Sequence, residues 1–256
     1  MRRAAIGAWL ALAMLLVAVL AGCSAFEKDP TAKWSADRIY QEAKDEMAAG
    51  NWKKARELLE KLEARYPFGR YAQQAEMEIA YTYYKEGEAA DAVTAAERFL
   101  KLNPNHPNAD YVQYLKGLSL FNDDLGLFGH AFGRDPTYRD PKAMREAFDA
   151  FKELAVHYPN SRYTPEATAR MNYLVNALAQ SEVNIARYYL ERGAYIAAAE
   201  RAQAAVRDYS GAPASEEALS IMVRAYGSLG MDGLRNDTER ILLQNYPNSA
   251  FLKAAK

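Results

Sequence analysis

The sequence predicts an all-α fold, an array of about five helix hairpins, and three regularities support this prediction. First, a glycine precedes a proline at the same interval in three places: Gly50 and Pro67, Gly87 and Pro104, and Gly230 and Pro247. Second, the interval from Gly50 to Gly87 equals that from Gly193 to Gly230. Third, bulky apolar residues recur at helical spacing after the first glycine, at Leu58, Leu59 and Leu62. A fixed internal period of this length is typical of repeat proteins.

The composition excludes several classes of protein. The 256 residues carry 32 lysines and arginines against 33 acidic residues, so the chain lacks the basic surface that nucleic-acid binding needs. Its mean hydropathy of −0.37 is too low for a polytopic membrane protein. One cysteine and three histidines exclude an intrachain disulfide and leave too few ligands for a structural zinc site.

The N-terminal stretch that ends at Cys23 predicts an exported lipoprotein. Arg2 and Arg3 precede residues 4–20, an uncharged stretch that is short for a membrane span and typical of a signal peptide. The sequence Leu-Ala-Gly-Cys follows, and its Cys23 is the only cysteine. This tetrad resembles a bacterial lipobox, in which cleavage precedes a cysteine that becomes acylated. We therefore predict a signal peptide at residues 1–22 and a palmitate-type lipid on Cys23, with an ordinary signal peptide as the alternative.

Residues 23–33 are predicted to be a lipidated tether, because the stretch after Cys23 is short and polar and contains Pro30. Two or more acyl chains hold a protein stably on a membrane. In lipoproteins of double-membraned bacteria, an aspartate after the acylated cysteine tends to retain the protein at the inner membrane, and this chain has Ser24 instead. The resemblance therefore implies an anchor in the outer membrane, on the periplasmic face. Apart from this covalent lipid, no cofactor is expected.

Each repeat is predicted to contain a helix, a turn at the glycine, a second helix and a stop at the proline. Glycine tolerates the positive φ of such a turn, and proline cannot continue a helix. At a fixed offset after the glycine, where the two helices would approach most closely, a small residue is found at Ala55, Ala92 and Ala198. The pattern resembles the tetratricopeptide repeat, which implies a right-handed superhelical array whose first helices line the concave face. Stacking of neighbouring hairpins stabilises such arrays.

The third and fourth units depart from this pattern. Residues 111–121 and 143–158 are predicted to be the helices of the third unit, with Gly117 at the position of close packing. The intervening residues 122–142 contain three glycines and two prolines and are predicted to be an insertion. Residues 165–192 contain no breaker and predict one long helix that leads the fourth unit. We assign units one to three to residues 34–163, and units four and five to residues 164–256.

No motif in the sequence predicts an enzyme. The chain contains no phosphate-binding glycine loop, no GxSxG, no HExxH and no CxxC. His106, His130 and His157 are far apart, and Asp123 and Asp124 fit a solvated loop better than a cation site. We therefore expect neither catalysis nor a bound metal.

Aromatic residues instead suggest a surface for binding polypeptides, because the chain has 18 tyrosines against nine phenylalanines. A tyrosine offers a large apolar area together with a hydroxyl that can bond to a peptide backbone. On a concave face lined by first helices, such residues would form a groove for an extended peptide. Core packing is the alternative for part of the set, and for Trp52 in particular. The predicted groove comprises Tyr40, Asn51, Trp52, Tyr66, Phe68, Tyr81, Tyr84 and Lys85.

Several stretches resemble one lipoprotein family, and their order is more specific than any of them alone. They are GNW at 50–52, RYPFG at 65–69, YTYYK at 81–85, RFLKLNPNHPN at 98–108, RDP at 139–141, YPNS at 158–161 and YYLERGAY at 188–195. Together with the lipobox they resemble the BamD family, whose members belong to the machine that assembles β-barrel proteins in the outer membrane. The resemblance covers nearly all of the chain after residue 22.

The resemblance implies a non-enzymatic scaffold with several protein partners. In that family the C-terminal units dock a POTRA domain of BamA, BamC lies along the array and BamE belongs to the same machine. The N-terminal units are associated with recognising unfolded outer-membrane proteins. Residues that the resemblance places at BamA are Tyr188, Arg192, Tyr195 and Arg201. For Arg201 a solvated helix charge is the open alternative, and for the whole chain the alternative is an envelope lipoprotein that organises cell-wall or division enzymes.

Overall fold

The computed structural model describes residues 29–123 and 141–253, and in these two ranges the chain forms helices and no strands. A short 3₁₀-helix at Ala250–Lys253 follows the last α-helix. The α-helices are α1 (Ala36–Ala48), α2 (Trp52–Arg65), α3 (Arg70–Glu86), α4 (Ala89–Leu102), α5 (Ala109–Asp123), α6 (Pro141–His157), α7 (Thr164–Glu191), α8 (Tyr195–Asp208), α9 (Ser215–Ser228) and α10 (Asp232–Asn245). The all-α prediction is confirmed.

Consecutive helices pack as five hairpins, α1–α2, α3–α4, α5–α6, α7–α8 and α9–α10. The number of units and the long helix are therefore as predicted, since α7 has 28 residues and a length of about 42 Å. The predicted insertion lies between α5 and α6, where residues 124–140 fall outside the described residues. The right-handed superhelical shape stays a prediction.

The turn glycines adopt the positive φ that the sequence predicted for them. Gly50, Gly87, Gly193 and Gly230 have φ values of 78°, 81°, 75° and 69°. A side chain at such φ clashes with its own backbone, so glycine is the residue that closes these turns without strain. The alanines that follow at a fixed offset, Ala55, Ala92 and Ala198, have no exposed surface, as expected for a small residue packed between helices.

Because every helix runs antiparallel to the next, the array has two distinct ends. The turn end carries the glycine turns, and there Arg56 at the start of α2 bonds Glu86 at the end of α3. The opposite end carries the loops between units, at residues 66–69, 103–108, 158–163 and 209–214. There the Gln73 side chain, near the start of α3, donates to Asn103 at the end of α4, over 2.9 Å. We call this the loop end.

The apolar core is divided into clusters, and α7 belongs to two of them. Its residues up to Leu178, including Leu174, pack with Phe151 and other residues of α5 and α6. From Ala179 onward, residues such as Val183 pack with α8, α9 and Leu242 of α10. The predicted boundary between residues 163 and 164 is therefore not a break in the core, because one continuous helix packs against both sides.

The N-terminal segment packs against the loop end before the first helix begins. Asp29 pairs with Arg65 at the end of α2, and Lys61 approaches the same carboxylate at 3.5 Å. Hydrogen bonds from the Thr31 hydroxyl and backbone amide, at 2.7 and 3.0 Å, are the main cause that lowers the pKa of Asp29 to about 2. The Tyr66 hydroxyl donates to the Trp34 carbonyl at 2.8 Å. Asp29, which lies inside the stretch predicted to be a tether, is thus already in contact with the fold.

Candidate functional site

The first helices of the first three units lie side by side, since α1 contacts α3 and α3 contacts α5. Half-buried aromatic residues follow one another across these helices. We call this set the aromatic strip; it comprises Tyr40 of α1, Trp52 of α2, Tyr71, Tyr81 and Tyr84 of α3, Tyr111 of α5, and Tyr163, which precedes α7.

The rings of the strip contact one another mainly at an angle. Tyr40 and Tyr71 have centroids 5.5 Å apart, and Tyr111 and Tyr163 have centroids 5.6 Å apart. The Trp52 ring meets Tyr81 edge-on at 5.9 Å, with an interplanar angle of 86°. Such tilted and edge-to-face contacts are favourable for aromatic rings. They hold the rings in place, and each ring remains half-buried.

A buried carboxylate lies beneath the strip. Glu78 of α3 is 6% exposed, and the Tyr40 hydroxyl donates to its Oε1 over 2.8 Å. Lys44 Nζ donates to the same oxygen at 3.0 Å, while Oε2 has no hydrogen-bond partner among the described residues. Burial, and then the bond to Glu78, raises the pKa of Tyr40, and burial chiefly raises that of Tyr111. Both phenols are therefore held in their protonated form. The single proton of Tyr40 is donated to Glu78, so toward a ligand the Tyr40 oxygen can only accept.

The turn end of the strip carries a cation. Lys85 Nζ lies 5.3 Å from the centre of the Trp52 ring, and the Lys85 side chain is exposed. A cation above an aromatic face is attracted by the ring quadrupole. The strip thus combines apolar rings, hydroxyl donors and one positive charge, a combination suited to an extended polypeptide with aromatic side chains.

The structure brings together five of the eight residues predicted for the groove. Trp52, Tyr81, Tyr84 and Lys85 form one connected group, with 6.5 Å between the Tyr81 and Tyr84 ring centroids. Tyr40 joins the strip through its contact with Tyr71 and its bond to Glu78.

The other three predicted residues take no part in the ring and cation contacts that connect this group, although Asn51 directly precedes Trp52 in the chain. Asn51 donates from its side chain to Glu46 at 2.8 Å, at the turn end. Tyr66 and Phe68 follow the opposite end of α2, about 20 Å from Trp52 along a helix of 14 residues. Phe68 is 91% exposed. Tyr66 and Phe68 lie at the same end of the array as Tyr71, but neither ring contacts a ring of the aromatic strip among the described residues, so the structure does not join them to the group around Trp52.

Sequence reasoning missed five residues of this surface: Tyr71, Tyr111, Tyr163, Glu78 and Lys44. Tyr71 and Tyr111 are the second and third residues of first helices, so the argument that selected Tyr40 would also have found them. Glu78 has no local signal, because its partner Tyr40 belongs to the preceding unit.

The residues predicted to dock BamA lie on the α7–α8 hairpin without forming one cluster. Tyr188 is 51% exposed, and the Arg192 guanidinium lies 4.6 Å from the centre of its ring. Tyr195 packs against the C-terminal core. Arg201 donates to the buried Glu182 at 3.1 Å, so this arginine has a partner within the chain.

In the part of the chain that the structure describes, no group of three or more histidine, cysteine, aspartate or glutamate side chains could hold a metal ion. None of the helices in residues 29–123 and 141–253 has both the length and the apolar character needed to span a bilayer. Cys23 lies outside these ranges, so its lipidation stays a prediction.

Comparison with known proteins gives close relatives along most of the chain. A family model, YfiO, described as outer membrane lipoprotein, matches residues 32–241. The outer membrane protein assembly factor BamD of Neisseria meningitidis serogroup A is 48% identical over 225 residues, covering 88% of this chain and 84% of the relative. The protein of the same name from Vibrio cholerae is 36% identical, covering 91% of this chain and 96% of the relative.

Among solved structures, the chain resembles a putative kinesin light chain from Podosopora anserina with TPR-like repeats, at a TM-score of 0.36 and 15% identity, covering 83% of this chain and 96% of that one. The sequence relatives decide the assignment, since the family model extends from the segment before α1 into α10. The resemblance to BamD is thereby confirmed, and the chain belongs to the YfiO family of outer membrane lipoproteins.

Proposed function

We propose that this protein is a non-enzymatic scaffold in the assembly of outer-membrane proteins. Its relatives carry the name outer membrane protein assembly factor BamD, and its family is described as outer membrane lipoprotein. Helix hairpins stacked in an array offer long continuous surfaces, which suit binding of other polypeptides. The protein would be anchored through lipid on Cys23 and face the periplasm.

The single observation that carries the client-binding part of the proposal is the aromatic strip. An unfolded β-barrel protein exposes strands that are extended and rich in aromatic residues. Its aromatic side chains would pack on the exposed sides of Tyr81, Tyr84 and Trp52, and its backbone carbonyls would accept from tyrosine hydroxyls. The cation at Lys85 would attract a terminal carboxylate.

The C-terminal units would hold the scaffold on its machine. Tyr188 with Arg192 forms an exposed aromatic and cationic pair, a combination enriched at protein interfaces. By resemblance to the family, the partner there is a POTRA domain of BamA, with BamC and BamE as further partners. Clients bound at units one to three would then be delivered beside the barrel subunit.

The test compares variants of the two surfaces. Tyr81→Ala with Tyr84→Ala removes two rings of the strip, and we expect the affinity for a peptide copied from the final strand of a client to fall at least about tenfold, or about 1.4 kcal/mol. Because Tyr81 also packs against core residues, circular dichroism must show that the variant is folded. Lys85→Glu changes an exposed side chain only and should weaken the same peptide without affecting the fold.

The matched control is Tyr188→Ala with Arg192→Ala on the C-terminal hairpin. This variant should bind the peptide normally and lose co-purification with BamA, the opposite of the strip variants. Unchanged peptide binding by folded strip variants would contradict the strip assignment. Recovery of cell-wall or division enzymes in place of BamA would favour the alternative scaffold.

A further inference from the structure

We propose that the tip formed by residues 66–70, with Phe68 at its centre, inserts into the interface of the phospholipid bilayer that holds the lipid anchor. This inference rests on the proposed lipid at Cys23 but goes beyond it, because it assigns a second, non-covalent membrane contact. It also fixes which end of the array faces the membrane.

The first argument is the short covalent distance between the anchor and this tip. Six residue steps separate Cys23 from Asp29, and a chain of that length reaches at most about 22 Å when fully extended. Asp29 is fixed to the loop end by Arg65 and Lys61 of α2, and Arg65 also donates to the Thr31 carbonyl. Arg65 directly precedes Tyr66, so the tip lies next to the point where the anchored chain reaches the fold.

The second argument is the exposure of Phe68. With 91% of its surface exposed, it is the most exposed large apolar residue in the part of the chain that the structure describes. Gly69 has a φ of 96°, so the sharp turn that presents Phe68 depends on a glycine. The neighbouring Tyr66 is also exposed at 37%, and its hydroxyl is bonded to the Trp34 carbonyl. An apolar ring flanked by tyrosine and tryptophan is typical of residues at a membrane interface.

The third argument is charge. Lys33, Arg38 and Arg70 are exposed around the tip. The Arg38 guanidinium lies 4.4 Å from the Trp34 ring centre, and that of Arg70 lies 4.8 Å from the Tyr71 ring centre. Of the nearby carboxylates, Asp29 is already paired with cations of α2, and Asp37 accepts from the Tyr71 hydroxyl. The three exposed cations therefore outnumber Asp37, and the surplus positive charge can meet anionic headgroups. A lipid surface is thus favoured over a client peptide at this tip.

The experiment places a fluorophore at the tip of the full lipidated chain. Because Cys23 would be acylated and is the only cysteine, Phe68→Cys supplies the sole free thiol. Ile196→Cys is the matched control, since Ile196 is 62% exposed and lies at the turn end. Both chains are reconstituted in vesicles of phosphatidylethanolamine and phosphatidylglycerol that contain a nitroxide-labelled lipid, after mass spectrometry has tested their acylation.

We expect severalfold stronger quenching by the labelled lipid at position 68 than at position 196. Equal quenching at the two positions in an acylated chain would overturn the membrane contact of the tip but not the lipid anchor. The same conclusion would follow if position 68 became shielded only when a client peptide is added. Absence of acyl groups would overturn the anchor and this inference together. A second probe, on Ala32→Cys, leaves the Phe68 ring in place. In that labelled chain, adding Phe68→Ser should reduce quenching, whereas adding Ile196→Ser should not.

Discussion

At the scale of single residues, the carboxylate of Glu78 and the absence of a side chain at Gly117 each determine a contact of the fold. Glu78 places a negative charge under an aromatic surface, where it accepts from Tyr40 and Lys44 and retains one oxygen without a partner among the described residues. The raised pKa of Tyr40 keeps that bond intact up to strongly alkaline pH, because the stabilisation is present below the ordinary tyrosine pKa of 10 and is lost only as the pH rises through the raised value.

Gly117 allows the Phe151 ring to pack closely against the backbone of α5. A Cβ placed there would lie 2.5 Å from the buried ring of Phe151. We predict that Gly117→Ala lowers the free energy of unfolding by about 1–3 kcal/mol, because the fully buried ring must shift to make room for the added methyl group. Urea denaturation followed by circular dichroism measures this change.

The matched control is Gly227→Ala in α9. Its Cβ would meet only the flexible Arg235 side chain, at 3.4 Å. Because alanine favours a helix over glycine by up to about 1 kcal/mol, this variant should be neutral or stabilised. Equal losses in the two variants would contradict the packing argument.

At the scale of elements, helix positions were predictable and contacts between helices largely were not. The long helix was predicted at 165–192 and is observed at Thr164–Glu191, because Pro165 favours its first turn and Gly193 ends it. The glycine turns and their alanines follow from local chemistry in the same way. The strip was only partly predicted, since the contact between Tyr40 and Glu78 depends on how two units stack.

The two-sided packing of α7 leads to a prediction about local stability. Leu174→Ala should remove about 2–5 kcal/mol, because Leu174 is fully buried among residues of the third unit. Hydrogen exchange should then rise mainly in α5 and α6.

Val183→Ala is the companion variant, since Val183 is equally buried but packs with the last two units. Its effect on hydrogen exchange should appear mainly in α8 and α9. Identical exchange patterns in both variants would mean that the two clusters unfold as a single unit.

At the scale of the whole molecule, stability and the proposed attachment belong to different parts of the chain. The array is stabilised by contacts between neighbouring units, which a repeat period in sequence reveals. The proposed attachment would depend on residues before Asp29, whose lipobox the sequence displays but whose geometry relative to the array could not be predicted. The packing of Asp29 against α2 depends on Lys61 and Arg65, which lie beyond the whole of α1 in the chain.

Removal of the acylation site should release the protein from the membrane. We predict that residues 24–256, exported behind an ordinary cleavable signal peptide, appear in the soluble periplasmic fraction, because one exposed phenylalanine holds far less strongly than two acyl chains. Membrane flotation with immunoblotting compares this chain with the natural one. Persistence of the unacylated chain in the membrane fraction at high salt would show that lipid is not its main anchor.

The antiparallel order of the hairpins also determines where extra sequence can be inserted. α5 ends and α6 begins at the turn end, so residues 124–140 join the array on the side away from Asp29. Extra sequence added there would lengthen the protein without displacing Asp29 or the unit-to-unit loops. That site is therefore a natural place to graft a reporter domain, because a fusion there leaves the loop end unchanged.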